Sequence, residues 1–263
     1  MKKTLSLVLA LVMAVTLFAF TGCNKKTVND DSTFVVGFDA EFPPYGYKDE
    51  SGEYVGFDLD LAQEVCKRNG WEYKAQPIDW DSKDMELNSG TIDCIWNGFT
   101  MTGREDEYTW SDAYVDNTQV VVVKADSGIV NLAGLAGKNV AVQTDSSAQS
   151  VLEEDQKAVA DTFAFLDVEK DYITCFNNLD AGAVDAVAMD IGVANYQIQS
   201  RGAEKYIIVP EQLSSEQYAV GFKKGNTELC EKVQATLDDM MKDGTFQQIA
   251  EKWGLSGTVI IKQ

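Results

Sequence analysis

A chain of 263 residues with 42 acidic and 22 basic side chains carries a formal charge of −20. That balance opposes binding to nucleic acid or to an anionic membrane surface. There is no histidine, so zinc sites and imidazole acid–base chemistry are disfavoured, and the length suits one large domain or two small ones.

The chain starts with basic Met1-Lys2-Lys3, followed by an apolar run from Leu5 to Phe20 and then Thr21-Gly22-Cys23. The run is short for a bilayer span and fits a signal peptide over residues 1–22. Phe20-Thr21-Gly22-Cys23 resembles a bacterial lipobox, with phenylalanine where leucine is usual. Cys23 is therefore expected to be lipidated and to become the mature N-terminus; an ordinary secretory signal cleaved nearby is the other reading. Residues 23–32 are expected to be this lipidated cysteine and a flexible polar tether. Without Lys2 and Lys3 the mature chain keeps 20 basic residues against 42 acidic ones, a charge of −22. No later apolar run approaches membrane length, so the lipid is the expected membrane contact.

Phe34 to Phe38 reads as a short strand. Asp58 to Asn69 places Leu61, Ala62, Val65 and Cys66 on one helical face, with Asp58 positioned to cap its start and Gly70 just past its end. Trp71 to Ala75 alternates as a strand, and Ile92 to Ile95 and Asn139 to Val142 are apolar strands. Ser147 to Leu152 opens a helix. Thr227 heads a helix carrying Leu229, Val233, Leu237 and Met240 and ending at Gly244. Phe246, Ile249, Ala250 and Trp253 form a last amphipathic helix, stopped by Gly254. Strands alternating with helices predict an α/β fold of mostly parallel sheets covered on both faces. Cys66, Cys94, Cys175 and Cys230 show no Cys-x-x-Cys spacing; buried free thiols are expected, with a disulfide left open.

One echo divides the chain. Leu87 to Ile95 and Leu179 to Val187 both read Leu-x-x-Gly-x-x-Asp-x-(Ile/Val): a helix end, a glycine stop, then a strand. Two similar α/β units follow from it. In open α/β sheets ligands bind beyond the carboxyl ends of strands. The first strand delivers Asp39, Glu41 and Phe42, and the second delivers Asn97, Gly98, Thr100 and Arg104. In the other unit, one strand delivers Gln143 to Ser147 and another delivers Asp190. If the units face each other, these residues line one cleft. Arg104 stands among hydroxyls and glycines, as a small anion would require; a loop arginine paired with a neighbouring acid is the alternative.

The ordered motifs now resemble extracellular solute-binding protein family 3, the substrate-binding lipoproteins of polar amino acid ABC importers. Gly56-Phe57-Asp58-Leu59-Asp60-Leu61-Ala62 resembles the family signature, and Asp39-Ala40-Glu41-Phe42-Pro43-Pro44-Tyr45 resembles the stretch before it. Thr100 to Arg104, Trp110 to Tyr114, and Asp243 to Phe246 with Lys252-Trp253-Gly254 match in order. The resemblance implies a two-lobed type II periplasmic-binding-protein fold, each lobe a mostly parallel sheet flanked by helices. Lobe 1 would be residues 33–120 plus 219–263 and lobe 2 residues 121–218, with hinge crossovers near 119–124 and 216–218.

By the same resemblance, Arg104 holds the α-carboxylate of an amino acid, helped by Thr100 and by the backbone N–H of Ser147. Asp190 and the Gly98 carbonyl take the α-ammonium, and Phe42 and Trp80 form aromatic walls. Asp39, Asn97 and Gln143 face the side chain: Asp39 with Glu41 would suit a cationic one, and Gln143, Asn97 and the two aromatics a polar neutral or sulfur-containing one, with the lean to polar neutral. Relative to the family, one residue is missing before Arg104, where only Gly103 stands. The implied partners are a free amino acid and an ABC permease. No cofactor, metal or nucleic acid is expected, and a monomer is expected, lipid-anchored on the extracellular face of the cell membrane, or in the periplasm where the cell has an outer membrane. A cleft enzyme of the cyclohexadienyl dehydratase type and an extracellular sensor are the competing readings.

Overall fold

The computed structural model describes residues 33–260. The expected signal peptide, Cys23 and the tether lie outside the described residues. Among the described residues, no helix is long and apolar enough to cross a membrane.

The chain opens with β1 (Thr33–Phe38), then a small antiparallel sheet of β2 (Glu41–Phe42), β3 (Gly46–Lys48) and β4 (Tyr54–Val55). Helix α1 (Phe57–Asn69), β5 (Glu72–Pro77), α2 (Lys83–Ser89), β6 (Cys94–Ile95) and β7 (Thr109–Trp110) follow. The long strand β8 (Val115–Lys124) leads into β9 (Asn139–Gln143), α3 (Ser147–Glu153), α4 (Lys157–Ala160) and β10 (Phe165–Glu169). Next come α5 (Tyr172–Ala181), β11 (Ala186–Asp190), α6 (Ile191–Arg201), β12 (Tyr206–Ile208) and β13 (Ser214–Tyr218). The chain ends with β14 (Gly221–Phe222), α7 (Thr227–Asp243) and α8 (Thr245–Lys252).

Two sheets organise two lobes. The first runs β5-β1-β6-β14-β7 and the second β10-β9-β11-β8-β12. Each has a parallel core: β5, β1 and β6 in one, and β10, β9 and β11 in the other. Antiparallel strands complete both. β8 and β14 each enter their sheet from the other lobe, without the crossover helix that makes a neighbour parallel. β8 and β13 pair antiparallel from Val115 opposite Tyr218 to Gln119 opposite Ser214. This ribbon also touches the first lobe, where Thr100 bridges to Tyr218 and Val115 to Val259.

The echoed motif does the same work twice. Gly90 and Gly182 end α2 and α5 in the left-handed region, at φ 79° and 75°, where a side chain would be strained. The aspartate three residues later then clasps the neighbouring strand. Asp93 Oδ2 accepts from Val35 N at 2.8 Å, and Asp185 Oδ2 accepts from Asn139 N at 2.9 Å. Their own N–H groups donate back to Val35 O and Asn139 O, each at 2.8 Å.

Asp58 departs from the expected helix cap. The cap position is Gly56, and Asp58 lies in the first turn with no exposed surface. Its carboxylate turns inward, to the site described next. Gly70 caps the other end of α1 at φ 68°, its N–H meeting Cys66 O and Lys67 O. Cys66, Cys94, Cys175 and Cys230 are buried and free.

Candidate functional site

The carboxyl ends of β1, β6, β9 and β11 bring the two lobes to one cavity. Phe42, Trp80, Gly98, Thr100 and Arg104 line it from the first lobe, and Gln143, Ser146, Ser147 and Asp190 from the second. It is small, about 20 Å³. Asp39 and Asn97 stand off its wall. Asp39 faces an adjoining cavity beside Trp80 and Asp171, and Asn97 is buried behind it, with Oδ1 accepting from Asp39 N at 3.0 Å.

Arg104 is the cation on this wall, and its guanidinium is lightly held. Nη1 donates to Thr100 O at 3.3 Å, and Cζ lies 5.6 Å from the Phe99 ring centre. The ion pairs among the described residues all involve other side chains. The loop-pair alternative therefore fails: neither Glu105 nor Asp106 neutralises it. Its backbone, by contrast, is fixed. Gly103 makes the tight turn at φ 83°, Arg104 N donates to Met101 O at 2.8 Å, and Trp110 Nε1 donates to Arg104 O at 3.0 Å.

Gly98 sits at φ 56°. A Cβ there would lie 2.7 Å from Phe42 Cε1 and 3.1 Å from Tyr218 Cε2, so both conformation and space require glycine. Its N–H donates to Asp58 Oδ2 at 2.6 Å, and Tyr114 Oη donates to Asp58 Oδ1 at 2.8 Å. Burial pushes the Asp58 carboxyl up to about 7 despite those two bonds.

Asp190 begins α6 by position but makes no capping bond with its side chain. Instead its Oδ1 accepts from Asn117 Nδ2 and Gln119 Nε2, both at 2.7 Å, and from Tyr218 Oη at 2.5 Å. Burial, and then the charge of Glu216, push it up to about 7. Glu216, which the strand-end rule did not nominate, is bonded to two residues of the cavity wall. Its Oε1 accepts from Thr100 Oγ1 at 2.8 Å in the first lobe, and its Oε2 accepts from Ser147 Oγ in the second. Asn117, Gln119, Glu216 and Tyr218 all lie on the β8–β13 ribbon.

Gln143 Nε2 donates to Asp39 Oδ2 at 2.6 Å and to Lys170 O at 3.2 Å. Glu41 N donates to Asp39 Oδ1 at 2.8 Å. Burial pushes the Asp39 carboxyl up to about 6, with nearby Asp171 and Glu41 adding to the shift. Further contacts cross the cleft: Trp80 Nε1 donates to Asp145 O at 3.2 Å, and the buried Lys83 ammonium pairs with the Asp145 carboxylate. The Phe42 and Tyr172 ring centres lie 5.9 Å apart.

Three buried carboxyls with raised pKa values give stability a pH dependence. In the unfolded chain they ionise near pH 4, whereas in the folded chain Asp39, Asp58 and Asp190 ionise between about 6 and 7. Their contribution is complete below the unfolded value and is lost as pH rises through the folded one. Unfolding free energy is expected to rise between pH 7.5 and 5.5, by at most about 1.4 kcal/mol per unit for each group. Urea titrations at the two pH values measure it; lower stability at pH 5.5 would contradict the buried-acid arrangement.

The sequence and the fold both have known counterparts. The model of the family described as bacterial extracellular solute-binding proteins, family 3, matches residues 34–256. The L-cystine-binding protein TcyJ of Escherichia coli K12 is 29% identical over 246 residues, 92% of this chain and 89% of its own. The arginine-binding extracellular protein ArtP of Bacillus subtilis 168 is 30% identical over 259 residues, 96% of this chain and 98% of its own. Among solved structures, an ABC uptake transporter substrate-binding protein from Streptococcus pneumoniae with bound histidine superposes with a TM-score of 0.80. That pair is 34% identical, covering 84% of this chain and 92% of the other.

Proposed function

Because the chain belongs to the bacterial extracellular solute-binding proteins, family 3, we propose that it captures one free amino acid between its lobes and delivers it to the permease of an ABC importer. The observation that carries this reading is the pairing of opposites on one small cavity wall. Arg104 is a guanidinium without an ion pair among the described residues, and Asp190 is a buried carboxylate held by neutral donors. An amino-acid zwitterion complements both. Its carboxylate takes the planar fork of Arg104, the Thr100 hydroxyl and the Ser147 N–H. Its ammonium takes Asp190 and the Gly98 carbonyl, while Phe42 and Trp80 keep water out.

Asp39 and Gln143 read the side chain. Asp39 is held by neutral N–H donors and keeps acceptor capacity, which favours a polar side chain that carries N–H or O–H donors. A cavity of about 20 Å³ admits a ligand only when the lobes part, and the β8–β13 ribbon is the hinge that allows it. In this reading lobe 1 is 33–120 with 219–263, lobe 2 is 121–218, and the chain works as a monomer. It is tethered outside the cell through a lipid on Cys23 and catalyses no reaction.

A thermal-shift panel of the common L-amino acids, with cystine and ornithine, tests the reading. At a hundred times its dissociation constant a ligand adds about 2.7 kcal/mol to the folded state. A clear rise in Tm with one or a few polar amino acids is expected. No rise with any of them, even after unfolding and refolding to strip carried-over ligand, would overturn it.

A further inference from the structure

Asp190 and Glu216 form a buried pair of carboxylates that is short of donors. Asp190 is 4% exposed and Glu216 6%. Asn117 Nδ2 donates to both at 2.7 Å, and Gln119 Nε2 donates to them at 2.7 and 2.8 Å. The remaining partners are hydroxyls: Tyr218 on Asp190, and Thr100 and Ser147 on Glu216. Neither carboxylate takes part in an ion pair among the described residues.

The amides that serve them are deficient in turn. Asn117 Oδ1 and Gln119 Oε1 are buried acceptors with no donor among the described residues. Rotating either amide would not help, because its oxygen would then meet the carboxylates. Two adjacent acids, served by amides whose own oxygens lack donors, thus leave an excess of lone pairs and negative charge. A compact cation carrying several N–H groups is what such a cluster lacks.

We propose that Glu216 is a further ligand-binding residue, which receives the ligand's α-ammonium together with Asp190 and yields the Thr100 and Ser147 hydroxyls to the ligand's carboxylate. The inference rests on the amino-acid reading above. Glu216 holds one hydroxyl from each lobe, and these flank the cavity where the incoming carboxylate meets Arg104. The ligand's carboxylate therefore replaces an internal one, and its ammonium satisfies the acid it displaces. Tyr218, Tyr45 and Tyr172 around the pair are pushed well above their ordinary range by burial, which leaves Arg104 as the charged group on the opposing wall. An acid that has kept its proton cannot accept from an ammonium. Binding in weakly acidic solution therefore expels a proton to solvent, and affinity falls on acidification.

The test is isothermal titration of the protein and of its Glu216→Gln variant with the amino acid found in the panel, from pH 5.5 to 8. Buffers of different ionisation enthalpy count the protons released. Glu216→Gln keeps the size of the side chain and removes one of two like charges. The variant is expected to bind about 30-fold more weakly or worse, to release fewer protons near pH 6.5, and to melt no lower than the parent without ligand. Parent binding matched by the variant in both affinity and proton count would overturn this inference alone. A variant that melts lower and loses affinity equally at every pH would also overturn it, since Glu216 would then only support the fold. If the parent bound no amino acid, the functional reading would fall first.

Discussion

Replacing Arg104 with alanine is expected to weaken amino-acid binding by about 2–5 kcal/mol, the usual cost of removing one partner of a desolvated charge pair. The folded chain has little to lose by the change. Arg104 is half-buried and makes one long bond to Thr100 O and a contact with the Phe99 ring, together about 1 kcal/mol. The loop around it is held by backbone bonds that alanine keeps. Binding and stability should therefore separate, with affinity collapsing and Tm barely moving. Arg104→Lys should recover only part of the loss, because an ammonium cannot present two parallel N–H groups to a carboxylate. Titration calorimetry and thermal melts on the two variants decide the matter. Affinity near that of the parent in Arg104→Ala would mean that the carboxylate clamp lies elsewhere.

Much of this architecture is written in local signals. Glycines after apolar helical faces end helices, and the repeated Leu-x-x-Gly-x-x-Asp marks equivalent corners because each aspartate must clasp the adjacent strand's N–H. The strand-end rule nominated the residues that the structure gathers on the cavity wall apart from Trp80, which only the resemblance supplied, since strand direction alone fixes which end meets the other lobe. It placed Asp39 and Asn97 there too, yet Asp39 faces the adjoining cavity and Asn97 is buried behind it, accepting from Asp39 N. It missed the ribbon. Asn117 and Gln119 occupy the inward phase of β8, in line with the buried Val115 and Val121, and Glu216 that of β13, in line with the buried Tyr218. A polar residue at a buried strand position signals a local conflict that function resolves, and that signal was legible. Their partners were not: Asn117 meets an acid 73 residues away and Thr100 one 116 residues away, which no local pattern encodes.

Asp58 is the clearest case of a long-range role hidden behind a local one, and its removal is the largest expected loss of stability. Helix-start statistics assign its carboxylate to a cap, but the structure sends it to Gly98 N and Tyr114 Oη in the core. Asp58→Ala leaves both donors buried without an acceptor, a cost of about 1–3 kcal/mol each. Against this, the substitution relieves the burial of a charge, which the raised pKa of about 7 records. The two effects separate with pH. Below about pH 4 the acid is neutral in both the folded and the unfolded chain, so no charge burial is relieved and the full loss appears. Above pH 7.5 the charge is present and its removal offsets part of the loss. The destabilisation is therefore expected to be about 3–5 kcal/mol at about pH 4 and to shrink by at most about 1.4 kcal/mol per unit up to pH 7. Urea titrations of parent and variant at pH 5.5, 6.5 and 7.5 measure it, and a destabilisation that grows with pH would mean that Asp58 is held as a stabilised anion. Amino-acid binding should weaken alongside, because the bond from Gly98 N to Asp58 sets the left-handed turn that aims the Gly98 carbonyl, the ammonium acceptor of the proposed site.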